Sequence, residues 1–298
     1  MTDTANLQPR RLSRPTFGAL GRFAYQQPVG AVSFVVIVVM LLAGIFAPWV
    51  SPYDALAVDY GALLSPPSLD HLAGTDAFGR DVFSRIIHGA RTAMIIGLSS
   101  AFLGCTGGAI LGAASAFFGG RVDSAIQRFV DILLAFPLVV LALVVVAILG
   151  RNPVFGIDIS LIFAIAIPIV PQVSRVIRAA ALTVQAMPYI DAARTAGYSN
   201  SRIILRHMAP NLVTPYLIML TAYIAQAILL EATLSFLGLG VAEPTPAWGL
   251  MLSGNAQDFF LTAPWLVIFP GIAISLAVIA FNLFGDALRD YLDPRLKQ

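Results

Sequence analysis

The 298 residues are 58% hydrophobic and only 11% charged, with a mean hydropathy of +0.83, whereas an ordinary soluble domain carries about 25% charged residues. This excludes a soluble globular domain and describes a polytopic membrane protein. The net charge of +2, from 18 Lys and Arg against 16 Asp and Glu, leaves no basic surplus for nucleic-acid binding, so any charge asymmetry is local.

In chain order, six stretches hold the roughly 20 mainly apolar residues that a helix needs to cross the hydrocarbon core. They are Val29–Val50, Thr92–Phe118, Phe129–Gly150, Ile159–Ser174, Leu212–Leu237 and Pro264–Gly285. The first follows Arg10, Arg11, Arg14 and Arg22 and precedes Ala55-Leu56-Ala57, as a signal peptide would, but it exceeds the h-region length of about 7–15 residues and is expected to be a retained span. The fourth is short and is expected to continue as a helix beyond Arg175. The predicted fold is all-α, with a tail over 1–28, a first span over 29–50, an external segment over 51–91, a core of five spans over 92–286 and a second tail over 287–298.

Six spans put fourteen basic residues on one side, namely Arg10, Arg11, Arg14, Arg22, Arg121, Arg128, Arg175, Arg178, Arg194, Arg202, Arg206, Arg289, Arg295 and Lys297. Arg80, Arg85, Arg91 and Arg151 lie on the other. The positive-inside rule then places both termini in the cytoplasm. Of the long connections, the external one ends in an amphipathic piece around Asp81–Ala90 suited to the membrane interface.

The lone Cys105 allows no intramolecular disulfide, and His71, His88 and His207 stand apart from each other and from it, so no zinc site is expected. The only lysine is Lys297. A phosphate-binding loop needs a lysine beside the nucleotide phosphates, so ATP that drives this chain must bind elsewhere. In the second span Ser100, Gly104, Gly108, Gly112, Ala116 and Gly120 recur every fourth residue, a seam for close helix packing within the chain or between subunits. Glu231 lies in an apolar run and is costly there, so it is a candidate pathway or gate residue, or else bonds a neighbouring helix. Asp131 and Arg175, near span ends, suit pairing or snorkelling.

The most specific segment is Met187 to Arg202. Pro188 suits a helix start, Asp191 its first turn, and Gly197 a left-handed end. A second helix is expected from a Ser199 or Asn200 cap to His207, with Pro210 marking the start of the next span. The two short helices would form a polar knob, with Ala192 and Ala193 permitting close approach by another protein.

From Asp191 the chain resembles the E-A-A-x-x-x-G loop of permease subunits of bacterial ABC importers. Asp191-Ala192-Ala193 and Gly197 match with Asp for Glu, and Pro210 is in register, while His207 and Ala209 depart from the general pattern. His207 followed by Pro210-Asn211 is similar to the dipeptide, oligopeptide and nickel branch, as are Gly74-Thr75-Asp76-Ala77-Phe78-Gly79-Arg80-Asp81-Val82, the run from Glu231 to Gly240, the run from Phe281 to Asp290 and Asp293-Pro294-Arg295. The resemblance implies a type I importer permease fold in the bacterial inner membrane, with no catalytic, metal or cofactor site of its own. It implies a homologous second permease, two cytoplasmic ATP-binding subunits that carry ATP and Mg, and an external substrate-binding protein. A coupling loop over 187–210 would seat in the ATPase, with Tyr189, Asp191, Ala192, Ala193, Arg194, Gly197, Arg202, Arg206, His207 and Pro210 as its residues. Substrate would be a peptide or related small solute. The rivals are an ion-coupled carrier using Glu231, which inverted repeats or spans broken at mid-membrane would favour, and an intramembrane enzyme, for which Glu231 and Cys105 lack an evident histidine partner in the spans.

Overall fold

The structure is a computed structural model that describes residues 18–154 and 157–292. Arg10, Arg11, Arg14, Asp293-Pro294-Arg295 and Lys297 fall outside the described residues. In chain order the helices are α1 (Gly18–Gln26), α2 (Pro28–Ile45), α3 (Ala47–Val50), α4 (Val82–Phe118), α5 (Gly120–Leu134) and α6 (Leu138–Leu149). There follow a two-residue hairpin pairing Pro153 with Asp158, then α7 (Ile159–Gln185), α8 (Pro188–Thr195) and α9 (Asn200–Arg202). A π-helical turn (Ile203–Met208) leads into α10 (Ala209–Phe236), α11 (Trp248–Met251), α12 (Asn255–Asp258) and α13 (Trp265–Leu292). Among the described residues five helices are long and apolar enough to cross a membrane, and the bent pair α5 and α6 would make a sixth span.

Lipid removes the hydrophobic drive between helices, so association rests on close packing. The α4 seam supplies it against α7. A Cβ on Gly104 would stand 2.7 Å from the Ala166 carbonyl oxygen, and one on Gly108 would stand 2.6 Å from that of Val170. At Gly112 the carbonyl of Ser174 leaves no room at all. Around this pair, α10 packs on α4 and α7, and α13 bridges α10 and α2. Gly120 lies outside the seam: φ is +53° there and a Cβ would meet nothing, because the chain has already turned into α5.

Three predicted boundaries are corrected. The Asp81–Ala90 piece is not an interfacial helix but the first turns of α4, which runs unbroken to Phe118. Asp81 caps it, accepting a hydrogen bond from the Ser84 amide at 2.8 Å, and the inner face is covered by Trp248, whose Nε1 donates to the Ile86 carbonyl at 2.9 Å. The third span is not one helix: α5 and α6 meet at 95°, where Pro137 lacks an amide hydrogen and disfavours a helical Phe136. Pro168 and Pro171 lie inside α7 without ending it, since packed neighbouring helices stabilise proline-bearing spans. Finally, Pro210 stands in the first turn of α10, as expected, but no break precedes it. The π turn widens the spiral just before it, and Asn200–Phe236 runs on as one 37-residue rod.

At the arginine-poor end, residues 51–81 form a cap around Ala73 and Val82 that also packs on Ala263 and Leu266. Asp76 accepts from the amides of Phe78 (2.8 Å) and Arg80 (2.9 Å) and from Arg80 Nε (2.6 Å). Trp265 Nε1 donates to the Thr75 carbonyl at 3.1 Å, joining the start of α13 to the cap before α4.

Candidate functional site

The segment from Pro188 to Met208 projects at the arginine-rich end between α7 and α10. Pro188 starts α8, and the helix ends in a Schellman motif: Tyr198 N–H donates to the Ala193 carbonyl (3.1 Å) and Gly197 N–H to that of Arg194 (3.0 Å), with Gly197 at φ +75°. Ser199 stands at the next N-cap position but its side chain makes no capping bond.

Tyr198 is the pin of this turn. Its ring stacks on that of His207 at 5.8 Å between centroids and 9° between planes, and the Arg202 guanidinium lies over it at 3.9 Å. Asn211 Nδ2 donates to the Tyr189 hydroxyl at 3.1 Å and to the His207 carbonyl at 2.8 Å, tying α8 to the start of α10. Underneath, Ile190, Ala193 and Ile203 are buried together with Phe117 beside them.

Ala193 is therefore packed inward and is not part of a docking face, a correction to the expectation drawn from its size. Ala192 remains exposed, as do Asp191, Arg194, Arg206 and Pro210. Asp191 and Arg194 face each other at 3.5 Å with the Asp191 side chain 70% exposed, so this pair adds little stability and is available to a partner surface. The sequence alone assigns no role to Phe117 or Tyr198, and it marks Asn211 only through the Pro210-Asn211 pair. The signal for Tyr198 is its place directly after the left-handed glycine, where an apolar contact commonly completes the Schellman motif.

Two ion pairs fasten α5 across α7 next to the knob. Arg178 reaches Asp123 through Nε (2.7 Å) and Nη2 (2.6 Å), and Asp123 also accepts from Ser115. Arg175 Nη2 meets Asp131 at 2.5 Å, both half exposed, so of pairing and snorkelling the described residues show pairing.

At the other end of α10, Glu231 is fully buried. Its partner is not a neighbouring helix but Ser235 one turn on, whose hydroxyl donates to Glu231 Oε1 at 2.7 Å. The same hydroxyl accepts from the Val241 amide at 3.2 Å, while Oε2 has no hydrogen-bond partner among the described residues. Glu231 lines neither of two cavities at this end, one of about 280 Å³ beside Asp76, Arg80 and Glu243 and one of about 440 Å³ beside His88, Arg91 and Arg151. Among the described residues no group of three His, Cys, Asp or Glu is placed to hold a metal.

Residues 106–298 match the family described as binding-protein-dependent transport system inner membrane component, and residues 22–67 match the N-terminal membrane domain of oligopeptide transport permease C. A putative peptide transport system permease protein of Brucella suis is 42% identical over 266 residues, covering 89% of this chain and 88% of that protein. The di/tripeptide transport system permease protein DppC of Pseudomonas aeruginosa is 42% identical over 275 residues, covering 90% and 88%. The glutathione transport system permease protein GsiD of Escherichia coli is 40% identical over 292 residues, covering 98% and 94%. Among solved structures, an inward-facing methionine ABC transporter, MetNI, shares the fold with a TM-score of 0.55 at 15% identity, over 71% of this chain and 97% of that one. None of these relatives supports an ion-coupled carrier, although the broken α5 and α6 pair is the kind of feature such a carrier can have.

Proposed function

This chain belongs to the family of binding-protein-dependent transport system inner membrane components, and we propose that it is the membrane-spanning translocation subunit of an ATP-driven importer for peptides or a related small solute. It is multi-pass and non-catalytic. A homologous second permease completes the pathway, two cytoplasmic ATP-binding subunits hydrolyse Mg-ATP, and an external binding protein delivers the solute. The arginine-rich end, with both termini, faces the cytoplasm.

The observation that carries the coupling role is the knob itself. It is pinned by Tyr198 and packed underneath, yet it presents Asp191, Ala192, Arg194 and Arg206 outward. It seats in a cleft of an ATP-binding subunit. Because α9, the π turn and α10 form one rod, movement of the knob is carried along the roughly 42 Å of α10. At the far end Glu231 acts on the outer gate as an anchor, holding through Ser235 the segment that begins at Val241. Closure of the ATPase pair thus turns the pathway outward, and hydrolysis resets it.

Mild-detergent purification of the tagged chain, expressed with its neighbouring genes, tests this assignment. A second permease and subunits with ATPase activity should co-purify; a stable homo-oligomer with no ATP-hydrolysing subunit would contradict it.

A further inference from the structure

At the arginine-poor end a cavity of about 440 Å³ opens between the first turns of α4, the hairpin before α7 and the segment after α10. That volume lies within the range of small-molecule sites, about 300–1,000 Å³. Its ionisable lining consists of His88, Arg91, Arg151 and Asp158, and Ile95 and Pro246 contribute apolar wall.

The charges do not cancel inside it. Two guanidinium groups stand against one carboxylate, Asp158, whose Oδ1 accepts from the amides of Asn152 at 3.2 Å and Ser160 at 3.0 Å and so caps α7. Arg91 is exposed and has neither an ion pair nor a hydrogen bond from its side chain among the described residues. Arg151 uses one donor, Nη2 to the Gly238 carbonyl at 3.2 Å, which leaves four of the five that a guanidinium carries. The walls are fixed in advance, because Thr92 Oγ1 donates to the Pro246 carbonyl at 2.9 Å and the Val241 amide is held by Ser235.

We infer that this cavity receives the carboxylate of a short peptide, or of a comparable small acid, with Arg91 and Arg151 as the binding cations. The forked guanidinium matches a carboxylate in two parallel hydrogen bonds, and the apolar walls accept small side chains. The inference rests on the importer reading, in which this end faces the binding protein. A concave, pre-formed volume suits a small solute better than a carboxylate on a docked protein surface.

The test uses the complete complex in nanodiscs, without binding protein, titrated with trialanine and with trialanine amide by saturation-transfer NMR. Trialanine should bind and its amide should bind about tenfold more weakly or worse, the scale of a lost charged hydrogen bond. Arg91→Gln combined with Arg151→Gln should weaken trialanine to the same extent. Equal affinities for acid and amide, no trialanine binding at millimolar concentration, or a double variant that holds trialanine as the wild type does would each overturn the inference. So would a double variant that loses only its affinity for the binding protein. If the double variant does not assemble, the acid and amide comparison on the wild type decides. Should no ATP-hydrolysing partner co-purify, the importer reading itself fails, and that failure is seen before any titration begins.

Discussion

The imidazole of His207 lies flat on the ring of Tyr198, 5.8 Å between centroids and 9° from parallel. One residue follows the glycine that ends α8 and the other sits in the π turn before α10, so the stack closes the knob across its open side. Aromatic pairs contribute about 0.5–1.5 kcal/mol beyond their burial. His207→Ala should therefore reduce ATP-driven uptake several-fold without reducing the amount of protein in the membrane, and His207→Phe should restore it. Uptake and membrane abundance measured side by side check this; an alanine variant with wild-type uptake would remove the stack from the coupling path.

Gly197 is held at φ +75° and a Cβ there would meet no atom within 4 Å, so the glycine is required by the backbone and not by space. Left-handed conformation costs an ordinary residue about 1–2 kcal/mol, and asparagine tolerates it better. Gly197→Val should insert normally but release the ATP-binding subunits and uncouple transport, whereas Gly197→Asn should keep most of the uptake. Co-purification of those subunits with each variant measures the difference.

Two glycines on adjacent faces of α4 separate a tight approach from a loose one. A Cβ on Gly108 would stand 2.6 Å from the Val170 carbonyl oxygen, while one on Gly107 would touch only the Val170 Cγ2 at 3.4 Å. Overpacking costs about 1–3 kcal/mol. Gly108→Ala should lower the melting temperature of the purified complex by several degrees, and Gly107→Ala should leave it unchanged; equal behaviour would mean that α4 and α7 are not in this register.

Much of this organisation was legible in the sequence, and the limits have physical causes. Four-residue spacing of small residues marks a seam, because it sets one helix face regardless of what packs there. Gly197 and Pro188 mark the ends of α8 through backbone chemistry alone. Composition could not show that Pro137 bends its span by 95° while Pro168 and Pro171 leave α7 continuous, since that depends on the helices packed around each proline. Likewise Ala193 and Ala192 are identical in type, and only the burial of Ile190 and Ile203 places one inside and the other out. The basic cavity was hidden because Arg91 and Arg151 are 60 residues apart and meet only through the fold.

Glu231 carries a different expectation. Its Oε1 accepts the hydrogen bond that orients Ser235 toward the Val241 amide. Glu231→Gln keeps an acceptor oxygen and should leave both assembly and uptake near wild type, while Glu231→Ala strands the hydroxyl and should cost about 1–3 kcal/mol of stability. Thermal unfolding of the assembled complex compares them. A glutamine variant that assembles normally but no longer transports would instead assign the carboxylate a direct role in the pathway.

We propose that ATP-driven movement enters this chain at the knob over Pro188–Met208. The single native cysteine, Cys105, is buried, so a cysteine introduced at exposed Ala192 is the one readily accessible thiol on the chain. Cross-linking of Ala192→Cys to the co-purified ATP-binding subunit tests the coupling role of the knob. A specific cross-link should form, with a yield that changes when ATP is added. Failure to cross-link in an assembled, ATP-hydrolysing complex, or labelling of that cysteine from the side on which the binding protein acts, would contradict it.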